Sequence, residues 1–440
     1  MNQSFSFSGI DVLIFVLYLG FLWVGSARIK KRFSSDKLNP FFHVGWLFKV
    51  TFSLLFAYVY LFLLGGGDIN AYWMGASCLA DLFYADPVAY FSELLHTNRS
   101  LGVAHHFNSF TGYPPGWIWR EEEAWFATKI ISIFAIITFK GFWSATLLLS
   151  TLGFWITWLF SVQLHVKESF SRNSILAALF FVPSVSFWCS GISKDSLTFS
   201  LAIFTVFIFF NLLKWGNSRG ILQFLLVLFL IYLIYSLRHY LAYAISAPFV
   251  LAWMGRFGKR FTERPLLLWI FRLVIYALFL ATLGLLINAD KTQELIAEAN
   301  ITKSDFSSNP IYSGAKYEMP STTGAPLEIL SILPLAIFTA LFRPSFFDNV
   351  TTSFIINQVE SFILLLFLIR FVVRKNIVLQ MHRILRDEFL LYALFFVLLV
   401  SFMAGYSSIL FGVLVRIRSI ALPFLILLLL HQKSSTETPT

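Results

Sequence analysis

Residues 221–237 read ILQFLLVLFLIYLIYSL, and this stretch decides the class of fold to which the chain belongs. It contains no charged residue, and its few polar side chains include Gln223 and Ser236. An α-helix crosses the hydrocarbon core of a bilayer with about 20 predominantly apolar residues, and slightly shorter runs still suffice. The stretch therefore predicts a membrane-spanning helix.

The composition of the whole chain repeats this pattern. Of its 440 residues, 58% are hydrophobic and 13% are charged, and phenylalanine alone occurs 52 times. A soluble protein of this length needs more charged residues on its surface, so the composition excludes a cytosolic enzyme and a nucleic-acid-binding domain. Cys78 and Cys189 are too few for a secreted disulfide scaffold. We predict an all-α fold, a polytopic integral membrane helical bundle.

Apolar runs of similar length recur along the chain. We predict about eleven spans, near residues 9–27, 41–64, 142–164, 175–191, 195–214, 221–237, 239–255, 265–287, 351–373, 388–405 and 409–431. Two further apolar segments, 124–139 and 327–342, contain Lys129 and Pro334. If both segments are counted as full crossings, the basic loops fall on opposite sides of the membrane, against the usual cytoplasmic location of positive charge. We therefore expect both to be re-entrant or interfacial helices.

Basic residues predict the orientation, because Lys and Arg accumulate in cytoplasmic loops. Three basic clusters are assigned to the inner face: Arg28, Lys30, Lys31, Arg32 and Lys37; Arg256, Lys259, Arg260 and Arg264; and Arg374, Lys375, Arg383 and Arg386. The N-terminus is then outside and the C-terminus cytoplasmic. We predict one transmembrane domain, 1–432, with outer loops 65–143 and 288–326, and a disordered tail, 433–440.

Residues 65–72, GGGDINAY, follow the second predicted span. The three glycines permit a sharp exit from the helix and a close approach of the backbone to a ligand. They place Asp68 at the outer mouth, and Tyr72 lies one helical turn further on. Asp68 is a candidate general base or metal ligand. The alternative is a plain helix-end carboxylate at the level of the lipid headgroups.

A second candidate segment, SGISKDSL, occupies residues 190–197. Ser193 or Asp195 is placed to cap the helix that follows. Lys194 lies on the predicted outer face, against the usual distribution of positive charge. We predict that Lys194 binds a phosphate or a carboxylate, whereas an ordinary helical-hairpin turn with a solvated ion pair is the alternative.

Further charged groups fall on the same predicted face: Arg238, His239, Arg343, Arg416 and Arg418. Arg416 and Arg418 are two positions apart, so their side chains diverge by about 200° around a helix. At least one of them should face the protein interior, and Glu360 is a candidate partner for it. By contrast, Arg120 to Glu123 are interpreted as capping and solubilising the start of a helix.

These basic residues share an affinity for anions. Arginine side chains suit bidentate contact with phosphate, so an outer site of this kind fits an anionic headgroup such as a polyprenyl diphosphate. No P-loop, dinucleotide-binding fingerprint or kinase signature is present. His105 and His106 are adjacent and point to different helix faces, which makes them a weak metal motif.

Several strings resemble a family of bacterial membrane proteins from cell-surface polysaccharide gene clusters: GGGDINAY, KIISIFAIITF, FVPSVSFWCSGISKDSL, LRHY, LFRP and FGVLVRIRSIALPF. The architecture is also similar to GT-C-type glycosyltransferases and polysaccharide polymerases. The resemblance implies a bacterial inner (plasma) membrane location. It gives Asp68 the role of the acidic residue in the first outer loop, although here that residue follows the second span.

The leading functional hypothesis is a glycosyltransferase or polymerase that uses a sugar linked to polyprenyl phosphate or diphosphate, a membrane lipid. Asp68 is its predicted catalytic residue, and Tyr72, Lys194, Asp195, Arg238, His239, Arg343, Arg416 and Arg418 are its predicted substrate-binding residues. A divalent metal is compatible with this chemistry but not required, and no metal ligand is assigned. A transporter or flippase for lipid-linked oligosaccharides is the alternative, and a non-catalytic scaffold is the third.

Overall fold

The fold is helical wherever it is described. The structure, a computed structural model, describes residues 9–95, 106–168, 170–214, 220–261, 290–309, 325–374 and 377–431, with positions 270, 274, 312, 314–320 and 322. Within these ranges no β-strand is present, and an isolated bridge pairs Lys316 with Leu410.

The helices are numbered here in chain order. They are α1 Gly9–Arg32, α2 Phe42–Tyr58, α3 Gly67–Ala85, α4 Pro87–Leu95, α5 Gly116–Arg120, α6 Glu122–Ile137, α7 Phe142–Lys167, α8 Arg172–Leu179, α9 Pro183–Trp188, α10 Lys194–Lys214, α11 Gly220–Leu237, α12 His239–Phe261, α13 Asp290–Ser308, α14 Pro326–Phe342, α15 Ile355–Arg374, α16 Ile377–Arg386, α17 Glu388–Ser407, α18 Phe411–Arg418 and α19 Leu422–Leu429. A π-helical turn, Val59–Leu63, extends α2.

Seven helical stretches in the described part of the chain are long and apolar enough to cross a membrane. They are Gly9–Arg32, Asn39–Leu63, Phe142–Val166, Lys194–Leu213, Gly220–Leu237, Thr352–Val373 and Glu388–Ser407. Helices α18 and α19 together pass the same test but meet at a 62° bend. The chain is therefore a helical, multi-pass membrane protein, as the composition predicts.

The predicted spans differ from the observed helices in two described places. Segment 175–191 is not one helix, because Pro183 has no N–H to donate and instead begins the short helix α9. Segment 409–431 is divided at the α18–α19 bend. Segment 239–255 lies within α12, which contains Pro248 and is not among the seven. Segment 265–287, apart from positions 270 and 274, and the tail 433–440 lie outside the described residues.

The two segments expected to be re-entrant or interfacial form short helices. Segment 124–139 corresponds to α6, which packs against α3, and segment 327–342 corresponds to α14, which packs against α17. Both helices have 16 or 17 residues, fewer than a full crossing usually needs. Their position in the bilayer, and the sidedness of the termini, stay predictions.

Three consecutive glycines connect α2 with α3. Gly65, Gly66 and Gly67 have φ angles of 71°, 102° and 47°, which L-residues with side chains rarely adopt. The backbone leaves the π-helical turn here, and Asp68 falls in the first turn of α3. The glycines therefore position the candidate carboxylate, as the sequence predicts.

Helix α17 runs through the centre of the bundle and packs closely against α14. A Cβ atom added at Gly405 would lie 2.0 Å from the carbonyl oxygen of Ala336, a backbone atom that cannot rotate away. The same addition at Gly412, on α18, meets nothing within 4 Å.

We expect Gly405→Ala to lower the free energy of unfolding by about 1–3 kcal/mol or more, because the new methyl group forces the two helices apart. Gly412→Ala, the matched control, should leave stability unchanged or raise it slightly through helix propensity. Thermal unfolding of both variants in detergent measures the difference. Equal unfolding temperatures would contradict this packing.

Helix α13, in the predicted second outer loop, is held to α17 by Lys303. The Nζ atom of Lys303 lies 3.4 Å from the centroid of the Tyr406 ring and donates to the carbonyl of Pro320 at 3.3 Å. The Tyr406 hydroxyl also hydrogen-bonds Thr322 at 2.7 Å and the Asn300 side chain at 3.1 Å. The Lys303 side chain thus lies among polar groups and is buried.

Burial lowers the pKa of Lys303 to about 8 from its ordinary value of 10.5. Between these values the unfolded chain binds more protons than the folded one, so the free energy of unfolding rises with pH. We expect wild-type protein to gain stability relative to Lys303→Met from about pH 8 to about pH 10. Thermal unfolding of both proteins across this interval tests the effect, and a difference that is independent of pH would contradict it.

Candidate functional site

The buried carboxylate of Asp195 lies at the centre of the candidate site. Asp195 stands in the first turn of α10, and its side chain is 1% exposed. One oxygen accepts a hydrogen bond from Nη2 of Arg238, at the junction of α11 and α12. The other accepts two from Arg416 of α18, from Nε at 3.0 Å and Nη2 at 2.8 Å. Both arginines are therefore held by one acidic residue.

Asp195 does not cap α10, which was one of the two sequence expectations. The other is confirmed: the hydroxyl of Ser193 accepts a hydrogen bond from the backbone N–H of Ser196 at 3.1 Å. Because Ser193 already accepts a hydrogen bond from a backbone N–H at the start of the helix, the carboxylate of Asp195 is left to bind the arginines.

Arg416 connects this buried centre with Asp68. Its Nη1 atom lies 3.3 Å from Oδ2 of Asp68, whose side chain is 46% exposed, while the guanidinium also lies over the ring of Trp188 at 5.7 Å. The guanidinium thus bridges a buried carboxylate and an accessible one. Trp188 comes from α9, so the short helix after Pro183 also contributes to the site.

Lys194 and His239 meet at Glu123, in the first turn of α6. Lys194 donates to Oε2 of Glu123 at 2.6 Å, and its Nζ lies 3.6 Å from Oε1 of Glu121. The Nδ1 atom and the backbone N–H of His239 contact Oε1 of Glu123 at 2.7 and 3.2 Å. Burial alone would raise the pKa of Glu123, but Lys194 and Arg238 hold it below its ordinary value.

Tyr72 lies beside the network, one turn after Asp68 on α3. Its side chain is buried, and its ring meets that of Trp117 edge-on at 6.4 Å between centroids. Burial raises the pKa of Tyr72 above its ordinary range, and the neighbouring charge of Asp68 raises it further. The hydroxyl group therefore stays protonated.

Arg418 and Arg343 belong to a second group, separate from the Asp195 network. Arg418 is fully buried and donates through Nη1 to the carbonyl of Arg343 at 2.6 Å and to Ser361 at 3.0 Å. Its Nη2 lies 3.5 Å from Glu360, which also accepts hydrogen bonds from Ser184. The predicted divergence of Arg416 and Arg418 and the pairing with Glu360 are both confirmed.

Arg343 pairs with Asp348 rather than with the Asp195 network. Its Nε donates to Oδ1 of Asp348 at 3.1 Å, and its guanidinium lies over the rings of Tyr317 and Phe411. Burial raises the pKa of Asp348, but the hydrogen bond from Arg343 and bonds from Ser345 outweigh it and hold that pKa below its ordinary value. Arg343 thus anchors its own loop.

The basic side chains singled out from the sequence are paired with carboxylates. Each of the five basic side chains singled out from the sequence has an acidic partner: Lys194 with Glu123, Arg238 and Arg416 with Asp195, Arg343 with Asp348, and Arg418 with Glu360. Charge is nearly balanced within the site. Any anion that binds here must therefore share these cations with carboxylates.

Glu123 was interpreted as a capping and solubilising residue, and that interpretation is incomplete. It stands in the first turn of α6, but its carboxylate joins Lys194 and His239 instead of facing solvent. The signal in the sequence was weak, because three consecutive glutamates, Glu121 to Glu123, fit a solvated helix start equally well. The pairing depends on how α6 packs near α10 and α11.

Two carboxylates of the site, those of Asp195 and Glu123, have both oxygens bound by cationic or imidazole groups. Both oxygens of Asp195 accept bonds from arginine, and both oxygens of Glu123 accept bonds from Lys194 or His239. A divalent cation would need such oxygens as ligands. Among described residues, no group of three His, Cys, Asp or Glu is placed to hold a metal ion. Position 105, one of the two adjacent histidines, lies outside the described residues.

The chain matches no protein-family model, no curated protein and no solved structure. What the fold and the site define is a class: a helical, multi-pass membrane protein with a network of ion pairs gathered at helix ends. Six of the nine residues singled out for the site join this network directly: Asp68, Lys194, Asp195, Arg238, His239 and Arg416.

We expect Asp195→Asn to lower the free energy of unfolding by about 3–5 kcal/mol, because two buried arginines lose their acidic partner. The matched control is Asp81→Asn, which breaks an exposed pair with Lys140 at 2.6 Å and should cost about 0–1 kcal/mol. Unfolding of both variants by denaturant in mild detergent measures the difference. Similar losses in the two variants would contradict the central role of Asp195.

Proposed function

We propose that the chain is an envelope glycosyltransferase or polysaccharide polymerase that takes a sugar from polyprenyl phosphate or diphosphate. The observation that carries the proposal is the position of Asp68, which is accessible and lies beside Arg416, itself held by the buried Asp195. An acceptor hydroxyl needs a carboxylate or another base, and a phosphate leaving group needs fixed positive charge. The site offers both within one network.

Arg416 is the residue best placed to contact the phosphate. Its Nε and Nη2 atoms are occupied by Asp195, whereas Nη1 is directed at the exposed carboxylate of Asp68. A phosphate oxygen that arrives from the exposed side reaches Nη1 without breaking the buried pair. Because the planar guanidinium presents several donors at once, it can hold a carboxylate and a phosphate together. Arg238 and Lys194 supply neighbouring positive charge.

Asp68 contacts the acceptor hydroxyl in this proposal and either orients or deprotonates it. Tyr72, Asp195 and His239 complete the binding region around it. Arg343 and Arg418 contribute indirectly, because they fix the elements on which Arg416 stands. The reaction transfers the sugar from phosphate to hydroxyl oxygen and releases the polyprenyl phosphate or diphosphate.

The remaining parts of the proposal follow from the sequence. The donor is a membrane lipid, so the site would open towards the bilayer at the outer face. The bundle would have a GT-C-like architecture with about eleven crossings, its N-terminus outside and its C-terminus cytoplasmic. A bacterial inner membrane, and a role in making cell-envelope polysaccharide, rest on the resemblance of the quoted strings to polysaccharide-cluster proteins.

We expect Asp68→Asn to reduce polymer synthesis by about a hundredfold or more, because the acceptor hydroxyl loses the carboxylate that orients or deprotonates it. Cells that lack the chromosomal copy would carry the variant, and surface polymer would be quantified against variant protein in the membrane. Asp81→Asn, an acidic residue further along the same helix, is the control and should support normal synthesis. Normal polymer from Asp68→Asn would reject the proposal.

The same cells separate a transferase from a transporter. When transfer fails, the lipid-linked sugar has already crossed the membrane, and it accumulates where an externally added lectin can bind it. When transport fails, the lipid-linked sugar accumulates on the inner face and is protected from the lectin. Protected precursor in the Asp68→Asn cells would favour a flippase instead.

A further inference from the structure

The contact between His239 and Glu123 defines a histidine with a fixed orientation. Nδ1 of the ring lies 2.7 Å from Oε1 of Glu123, and the backbone N–H of the same residue donates to the same oxygen at 3.2 Å. An ionised carboxylate only accepts hydrogen bonds, so the ring must donate from Nδ1. In the neutral imidazole, Nε2 then carries the lone pair.

Glu123 is itself held on its other side. Lys194 donates to Oε2 at 2.6 Å, so both carboxylate oxygens are engaged and the group cannot rotate freely. The ring of Tyr235 meets the His239 ring edge-on, with centroids 4.4 Å apart, which restrains the imidazole from α11. The orientation of His239 is therefore set by three helices, α6, α10 and α11.

The His239 side chain is accessible although it is fixed. It is 38% exposed, whereas that of Glu123 is 22% exposed. Within the described part of the chain, Nε2 makes no hydrogen bond, since the contacts of the ring nitrogens fall on Nδ1. A fixed ring on a partly exposed side chain, with no hydrogen bond to Nε2 from its described neighbours, suits a general base.

His239 is also joined to the phosphate-binding side of the network. It directly follows Arg238, which binds Asp195, and Asp195 binds Arg416 beside Asp68. Lys194, which holds Glu123, is the neighbour of Asp195 in the chain. The imidazole thus stands next in the chain to an arginine whose carboxylate partner also binds Arg416.

We propose that His239, oriented by Glu123, is the base that takes the proton from the acceptor hydroxyl. This inference rests on the proposed glycosyl transfer. The hydroxyl oxygen forms a bond to the anomeric carbon, and the bond from that carbon to the phosphate oxygen breaks with its electron pair remaining on the phosphate. The hydroxyl proton moves to Nε2 and is later released to water. Asp68, facing Arg416, orients the hydroxyl, and Glu123 is a positioning residue.

The tautomer is the first test, and it does not depend on activity. Nuclear magnetic resonance of ¹⁵N-histidine-labelled protein in lipid nanodiscs resolves the ring nitrogen signals. The signals that disappear in His239→Gln belong to His239. We expect the ring to carry a proton on Nδ1, and Glu123→Gln to reduce that population. A proton on Nε2 in wild-type protein would overturn the inference.

Activity in membrane vesicles, which retain the cell's own lipid-linked sugar, is the second test. We expect His239→Ala to lower polymer formation by about a hundredfold or more, and added imidazole to restore part of it. Rescue by a diffusible base is not expected of a residue that only supports the fold. His165→Asn is the control, because His165 also bonds through Nδ1, to the carbonyl of Phe170 at 2.9 Å.

The outcomes separate the two proposals. If Asp68→Asn keeps normal polymer synthesis, the glycosyl transfer itself is rejected. If Asp68→Asn is inactive while His239→Ala keeps its rate, the transfer stands and His239 is not its base. A folded His239→Ala protein that loses activity without any response to imidazole also counts against the base assignment.

Discussion

The carboxylate of Asp195 is the constraint on which the site depends. It lies almost fully buried at the start of α10 and binds two arginines that come from distant parts of the chain. Charges taken out of water are stable only when they are paired and hydrogen-bonded. Asp195 therefore determines where the α11–α12 junction and α18 must lie, and it holds Arg416 in contact with the exposed carboxylate of Asp68.

The second ion-pair group has a related effect at the other side of α18. Glu360 of α15 accepts hydrogen bonds from the first turn of α9 and faces the fully buried Arg418. It thereby holds the helix that carries Trp188, the aromatic residue beneath Arg416. Ionic contacts, rather than apolar packing alone, thus specify how the short helices α9 and α18 are placed.

The sequence predicted the class of fold because hydropathy is a local property that depends on a short run of residues. It also predicted that Arg416 and Arg418 would diverge, because two positions on a helix fix their relative direction. Segment 175–191 was predicted as one span although it contains Pro183, because hydropathy does not register the N–H that proline lacks. The role of Glu123 was missed because its pairing with Lys194 and His239 depends on how the helices pack. Helix packing cannot be read from a single sequence.

The short helix α18 has a consequence for how a substrate can enter. Buried carboxylates hold it on two opposite sides, through Arg416 and Arg418, so any rotation or sliding of this helix would break both attachments together. Helix α18 is therefore the fixed side of the site. The opposing side is different, because among the described residues Asp68 is attached to the rest of the network by a single contact, at 3.3 Å from Arg416. Entry of a substrate should therefore require only that the Asp68 side chain turn away from Arg416, because α3 itself is packed against α6 and the arginine side stays in place.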